Sequence, residues 1–291
     1  MTADIGPRCV ADVGAVLGEG PVWVEAERAL YWVDIKGWKI FRLDEGGAVT
    51  SWPTPLRVGS LAPRDSGGFI AGTEHGFAEI DLESGRFHVF ANPEPARPGN
   101  RFNDGKTDRT GRFWAGTMDN EERAASGALY RLDPDRRWKL IDDGYRVTNG
   151  PAFDPSGTRM YHTDSARQII YAFDLSSSGE VSHKRVFAEF GEDEGYPDGM
   201  TVDAEGHLWV AFWDGWSIRR LSTEGAVIET VKMPVQRPTS CAFGGPALDR
   251  LYVTSASIDL DEQALAMQPC AGGLFLLETG VRGMAPLPYA G

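Results

Sequence analysis

The sequence predicts an all-β fold, one six-bladed β-propeller of four-stranded antiparallel blades spanning residues 1–291. Three observations carry that prediction. A pattern of short strands recurs six times, an aromatic position sits at the centre of every copy, and a turn of the type Asp-x-x-Gly precedes it in four of them. Six copies at a period of roughly 40–50 residues are the mark of radial repeats in which each unit is one blade.

The first copy begins at Leu17 with β-like runs at Pro21–Val24, Leu30–Asp34 and Lys39–Leu43, each rich in Val, Ile, Trp, Tyr or Phe and bounded by turn residues. The second begins at Val58. The third is RPGNRFNDGKTDRTGRFWAGTM, residues 97–118, and the fourth and fifth begin at Val147 and Tyr196. The sixth begins at Pro238, and its third strand is delayed to GGLFLLE at Gly272 by an insertion, Ile258–Cys270. The aromatic position falls at Tyr31-Trp32, Phe69, Phe113-Trp114, Tyr161, Trp209 and Tyr252. The turns are Asp65–Gly68, Asp108–Gly111, Asp154–Gly157 and Asp203–Gly206, where Asp bonds its own backbone and Gly supplies positive φ. Cys9–Gly14 and the tail Val281–Gly291 fall outside the six copies. Both are expected in the sixth blade, because pairing the chain ends removes exposed sheet edges.

Composition narrows the functional classes. Hydrophobic residues make up 42%, enough for a packed interior. A net charge of −13 argues against nucleic acid or an anionic membrane as partner, either of which needs a basic face. Cys9, Cys241 and Cys270 form no CxxC pair, so neither a zinc knuckle nor a disulfide framework is expected. The start MTADIGPRCVADVG lacks a basic stretch followed by an apolar run, and no stretch approaches the length of a membrane span, so the expected address is the cytoplasm.

The residue before the first Gly of four copies is Glu19, Asp104, Asn149 and Asp198. These positions start the innermost strands, which line a propeller's channel, so they converge on the axis. Any one Asx-Gly pair is more often a turn than a ligand; their common place in four copies favours a site. Carboxylates gathered there repel unless protons or a cation neutralise them. Oxygen-only ligands favour Ca²⁺, Mg²⁺ or Mn²⁺, with Zn²⁺ or Fe²⁺ still open where waters complete the shell. No histidine pairing and no GxSxG elbow offers a rival centre. His162 reads as a core or channel-wall residue, and Tyr196 and Trp213–Trp216 read equally as pocket wall or inter-blade packing.

The motifs GEGPVW, RFNDGK with GTM downstream, TNGPAF, YPDGM and the closing AGGLF and YAG resemble the SMP-30/gluconolactonase/LRE family, which includes regucalcin and bacterial sugar lactonases. The resemblance covers the chain from Glu19 to Gly291. It implies a six-bladed propeller with one divalent metal held by Glu19, Asn149 and Asp198, and Asp198 doubling as catalytic base. It also implies that Arg101, Asn103 and Glu121 contact substrate, and so selects Asn103 over Asp104 as the inward residue. HTDS (His162–Ser165) with YAFDL is nearer to bacterial pentonolactone-type members than to regucalcin. Arg146, just before Thr148-Asn149, departs from the pattern. The expected function is metal-dependent opening of sugar-acid lactones to aldonates in sugar catabolism, with a small sugar lactone as partner. The alternative is a non-catalytic, regucalcin-like propeller that binds calcium or a partner; hydrolysis of another ester, such as an organophosphate, is a third option for the same metal site.

Overall fold

Short apolar strands broken by Asp, Gly and Pro turns cannot bury both faces alone, and here they stack radially. The computed structural model describes residues 6–291; the expectation drawn from the N-terminal start bears in part on residues 1–5, which lie outside the described residues. Six four-stranded antiparallel sheets surround a central channel. The chain opens with β1 (Arg8–Ala11), which pairs with the last strand, β24 (Leu274–Glu278), and so completes the sixth blade. The first blade runs from β2 (Gly18–Val24) through β3 (Ala29–Asp34) and β4 (Lys39–Asp44) to β5 (Val49–Pro53). The inner strands of the next five blades are β6 (Val58–Pro63), β10 (Asn100–Thr107), β14 (Thr148–Phe153), β18 (Tyr196–Val202) and β22 (Pro238–Gly244).

Burial follows position in the blade. All six residues of β3 are buried, whereas in the outermost strand β5 only Trp52 is even partly covered. The aromatic position of every copy is buried, with Trp32, Trp114 and Trp209 among the largest fully buried side chains. Six apolar clusters result, one between each pair of adjacent blades. Tyr31, for example, packs on Phe69 of the second blade with ring centroids 4.8 Å apart. This arrangement explains why the second strands read as continuous apolar runs: each is covered on both faces by neighbouring blades.

Three of the four Asp-x-x-Gly turns work as their chemistry predicts, whereas the Asp65–Gly68 turn is closed by backbone bonds between Arg64 and residues 67 and 68, with no bond to the Asp65 side chain among the described residues. Asp108 accepts from the amides of Thr110 and Arg112, Asp154 from those of Thr158 and Arg159, and Asp203 from those of Glu205 and His207. Two reach further: Asp108 and Asp203 also accept from the indole N–H of Trp114 and Trp209, at 2.9 and 3.0 Å. Each of those turns is thereby tied to the aromatic core of its own blade.

Contrary to the expectation from the sequence, the tail Val281–Gly291 does not join the sixth blade; it crosses the channel end opposite the inner-strand starts. The Gly283 amide donates to the Leu248 carbonyl, Ala204 to Arg282, Tyr289 to Pro63 and Ala290 to Gly111, which links blades six, five, two and three in turn. β1 and β24 already pair in the last blade, leaving the tail free to cap that mouth. Met284–Leu287 line a pocket there of about 100 Å³ together with Trp23, Lys106 and Phe243.

Candidate active site

The inner strands do not pair evenly with their neighbours. In β2 the register slips between Glu19 and Val22, in β10 between Phe102 and Gly105, in β14 between Asn149 and Ala152, and in β18 between Pro197 and Met200. Each slip is a β-bulge, which re-aims a side chain at the cost of a ladder bond. Glycine makes the bulges possible. Gly20 has φ of +52°, and a Cβ on Gly199 would lie 2.1 Å from Ser240 Oγ. The bulges turn Glu19, Asn103, Asn149 and Asp198 into one cavity of about 690 Å³ at the channel mouth. Its walls come from the ends of the second strands and the loops after them: Lys36 in blade one, Asn120, Glu121 and Glu122 in blade three, Ser165 in blade four, and Trp213 in blade five.

Glu19, Asn149 and Asp198 are all buried, at 4, 2 and 7% exposure. Burial first, and then the Asp104 charge, push the Glu19 carboxyl up to about 8. Burial, followed by the Glu19 and Asp104 charges, holds Asp198 well above the usual carboxylate range. Burial also raises Asp104. Like-charged groups buried together are driven toward protonation unless a cation intervenes. The cation whose field reaches Glu19 and Asp104 most strongly is Lys106, and its ammonium donates to the Met200 carbonyl. Asn149 is held by its amide: Nδ2 donates to Ser165 Oγ at 2.9 Å, which leaves Oδ1 as the acceptor that receives Asn103 Nδ2 at 3.1 Å. Two carboxylates and an oriented amide oxygen are a hard, oxygen-only donor set, and these residues fit a divalent cation.

Asp104, although it precedes a glycine like the others, does not line the cavity. Its Oδ1 accepts from the Gly105 amide at 2.8 Å and its Oδ2 from the Gly150 amide at 2.9 Å. It is a buried brace between blades three and four. Asn103, its neighbour, faces the cavity and donates to the Thr148 carbonyl at 2.8 Å.

From Asn103 a ladder of hydrogen bonds climbs to the rim. Asn103 Oδ1 accepts from Arg101 Nη1 at 2.7 Å, and Arg101 Nε donates to Asn120 Oδ1 at 3.1 Å. Lys36 Nζ donates to the same Asn120 oxygen at 3.2 Å, and Asn120 Nδ2 donates to Glu121 at 3.1 Å. Glu121 stands at the rim, its side chain 59% exposed and paired with Arg123 at 3.4 Å. Asn120 and Lys36 were not singled out from the sequence. Their loops occupy the same place in two copies, after the second strand, and that shared place was the available signal. Arg146 lines the cavity, its Nε donating to the Glu122 carbonyl at 3.4 Å. Tyr196 and Trp213 are pocket wall, and Trp213 stacks under the Arg237 guanidinium at 4.8 Å.

Two other groups carry potential chemistry. His162 is fully buried against the Tyr145 ring, 4.8 Å between centroids, and burial pushes its imidazole down to about 3, so it is a neutral core residue. Asp203, Glu205 and His207 bring ligand atoms within 4.8 Å of one another. Arg220 already fills that cluster, bonding Asp203 at 2.9 Å and Glu205 at 2.6 Å. The cluster lies at the far end of β18 from Asp198 and belongs to the turn.

With this geometry in view, comparison with known proteins is informative. Residues 17–257 match the family model described as SMP-30/Gluconolactonase/LRE-like region. Regucalcin of Xenopus laevis is 39% identical over 293 residues, covering 98% of each chain. The 6-deoxy-6-sulfogluconolactonase of Pseudomonas putida is 35% identical over 286 residues, again covering 98% of each. A solved structure described as a calcium-binding protein, regucalcin, from Agrobacterium tumefaciens superposes with a TM-score of 0.93 at 28% identity, covering 98% of this chain and 97% of that one. No helix among the described residues is long and apolar enough to cross a membrane.

Proposed function

The chain belongs to the SMP-30/gluconolactonase/LRE-like family, and from that premise we propose that it is a lactonase opening sugar-acid lactones to aldonates with the help of one divalent cation. The observation that carries the reading is the pairing of two buried, mutually repelling carboxylates, Glu19 and Asp198, with the oriented oxygen of Asn149 beside a substrate-sized cavity. A bound divalent cation supplies Lewis acidity toward the lactone carbonyl. Glu19, Asn149 and Asp198 would hold it. The relatives support the substrate class, since one is named for a sugar lactone.

The chain's own residues do the rest. Asp198 accepts the proton of the attacking water, its carboxylate kept charged by the cation it would share with Glu19 and aimed into the cavity by the bulge in β18. Water adds to the carbonyl carbon, the ring C–O bond breaks, and the ring oxygen leaves as a hydroxyl, so the net products are an aldonate and one proton. Arg101 presents its guanidinium as a fixed hydrogen-bond donor to the lactone, and Asn103, whose two amide hydrogens go to the Thr148 carbonyl and Asn149 Oδ1, meets a substrate hydroxyl through its Oδ1; a polyhydroxylated ring needs such fixed partners for orientation. Glu121 contacts the substrate from the rim, and Tyr196 and Trp213 give the ring apolar faces.

The test is proton release at fixed pH on a panel of pentono- and hexonolactones, after chelation and reloading with individual divalent ions. Asn103→Ala is expected to reduce turnover while the protein still binds metal. Asp104→Ala is expected to act on stability, leaving two buried backbone amides unpaired at about 1–3 kcal/mol each. The reverse pair of phenotypes would place Asp104, not Asn103, against the substrate. Metal binding with no hydrolysis of any lactone would favour a non-catalytic binding propeller.

A further inference from the structure

The cavity is acidic at the axis and basic on one wall. Four cationic side chains line it: Lys36, Arg101, Arg146 and Arg237. Arg237 is spoken for, its Nε 2.7 Å from Asp214. Lys36 and Arg101 are not. Arg101 is only 5% exposed, and its partners are all neutral oxygens: the Phe102 carbonyl at 3.1 Å, Asn103 Oδ1 and Asn120 Oδ1. Lys36, half-buried in the turn after β3, has among the described residues one hydrogen-bond partner for its ammonium, the same Asn120 Oδ1. Two cations thus converge on a single neutral amide oxygen.

That arrangement is unfavourable on its own. Buried or half-buried charges normally pair with an opposite charge, as Arg57 does with Glu74 at 3.1 Å nearby. Burial and then the Arg101 and Arg57 charges lower the Lys36 ammonium's hold on its proton. The fields of Glu121 and Glu122 reach Lys36, and those of Glu122, Glu19 and Glu74 reach Arg101, but among the described residues no carboxylate makes an ion pair with either cation. An anionic ligand there would satisfy both, Arg101 through its planar guanidinium and Lys36 as a point charge.

Resting on the lactonase reading, we propose that Lys36 and Arg101 form a subsite for an anionic group borne by the lactone away from its reacting carbonyl, a sulfonate, phosphate or carboxylate. The ladder from Asn149 through Asn103 to Arg101 sets the carbonyl at the axial carboxylates and the charged end at the Lys36 wall. Lys36 is then the specificity-determining residue, since Arg101 also braces Asn103.

Two measurements separate this subsite from the activity itself. The first compares kcat/KM for a neutral hexonolactone with analogues carrying a terminal sulfonate, phosphate or carboxylate. At least one charged analogue is expected to be favoured by about tenfold, the value of one charge-assisted hydrogen bond. Lys36→Met is expected to remove most of that ratio, chiefly through KM, and Lys36→Glu to invert it. The second is calorimetric binding to the metal-loaded protein of an unreactive six-carbon polyol bearing one terminal sulfonate, phosphate or carboxylate, against the uncharged polyol. It needs no catalysis, so it decides the subsite even if no lactone is hydrolysed. Tighter binding of a charged polyol that Lys36→Met abolishes supports the subsite, and the three anions tell which group it takes. Equal binding of charged and uncharged polyols overturns it, as does an anion preference kept in full by Lys36→Met, which would assign the anion to the metal.

Discussion

Asp198→Asn is expected to lose about 10²–10⁴-fold of the lactone hydrolysis rate even when metal is saturating, the usual contribution of a general base. The substitution keeps the shape of the side chain and one oxygen ligand but removes its charge and most of its basicity. Metal should therefore bind more weakly yet still be titrated to saturation. Without the cation, burial and the Glu19 and Asp104 charges hold the Asp198 carboxyl well above the usual carboxylate range; the cation offsets that repulsion and leaves the carboxylate free to take a proton. The assay is proton release at fixed pH with spontaneous hydrolysis subtracted. Full recovery of the rate by excess metal would reduce Asp198 to a ligand, and water activation would then need no side-chain base.

Tyr289→Ala is expected to destabilise the protein by about 3–5 kcal/mol, in the range for truncating a large buried aromatic. Tyr289 is 1% exposed and packs in the cluster between blades two and three, near Phe102 and Tyr130. Its hydroxyl donates to the Asp133 carbonyl at 2.6 Å, and its amide donates to Pro63. The Tyr289 side chain therefore anchors the end of the tail that crosses the channel, and its loss leaves a cavity and removes one hydrogen bond while the tail's backbone bonds remain. Urea unfolding at pH 7 measures the change. A loss under about 1 kcal/mol would mean the tail is only laid over the channel, as surface substitutions of that size are common.

Much of this architecture was legible because its signals are local. Asp108, Asp154 and Asp203 bond their own turns, and Trp114 and Trp209 follow at a fixed offset, so the repeat can be counted without knowing any long-range contact. The axial residues were legible for the same reason, since each precedes a glycine that a bulge requires. What strand alternation could not tell was which of Asn103 and Asp104 faces inward, because the bulge between Phe102 and Gly105 breaks the period of two. The tail was misplaced because it is held by backbone hydrogen bonds to blades two, three, five and six, and such bonds leave no pattern of side chains. Lys36 and Asn120 were passed over because a lone Lys or Asn in a loop is ordinary. Their meaning lies in a meeting across blades one and three that only the closed ring creates.

The axial site itself is tested most directly by stripping the protein of metal with a chelator and titrating one divalent ion back while following melting temperature and lactone hydrolysis together. A single ion per chain is expected to restore both in parallel, with about 2.7 kcal/mol of added stability at 100 times its dissociation constant. The same titration on Glu19→Gln should require much more ion for either signal. A chelated protein that melts unchanged and hydrolyses lactone at the full rate would contradict the assignment of Glu19, Asn149 and Asp198 as a metal centre.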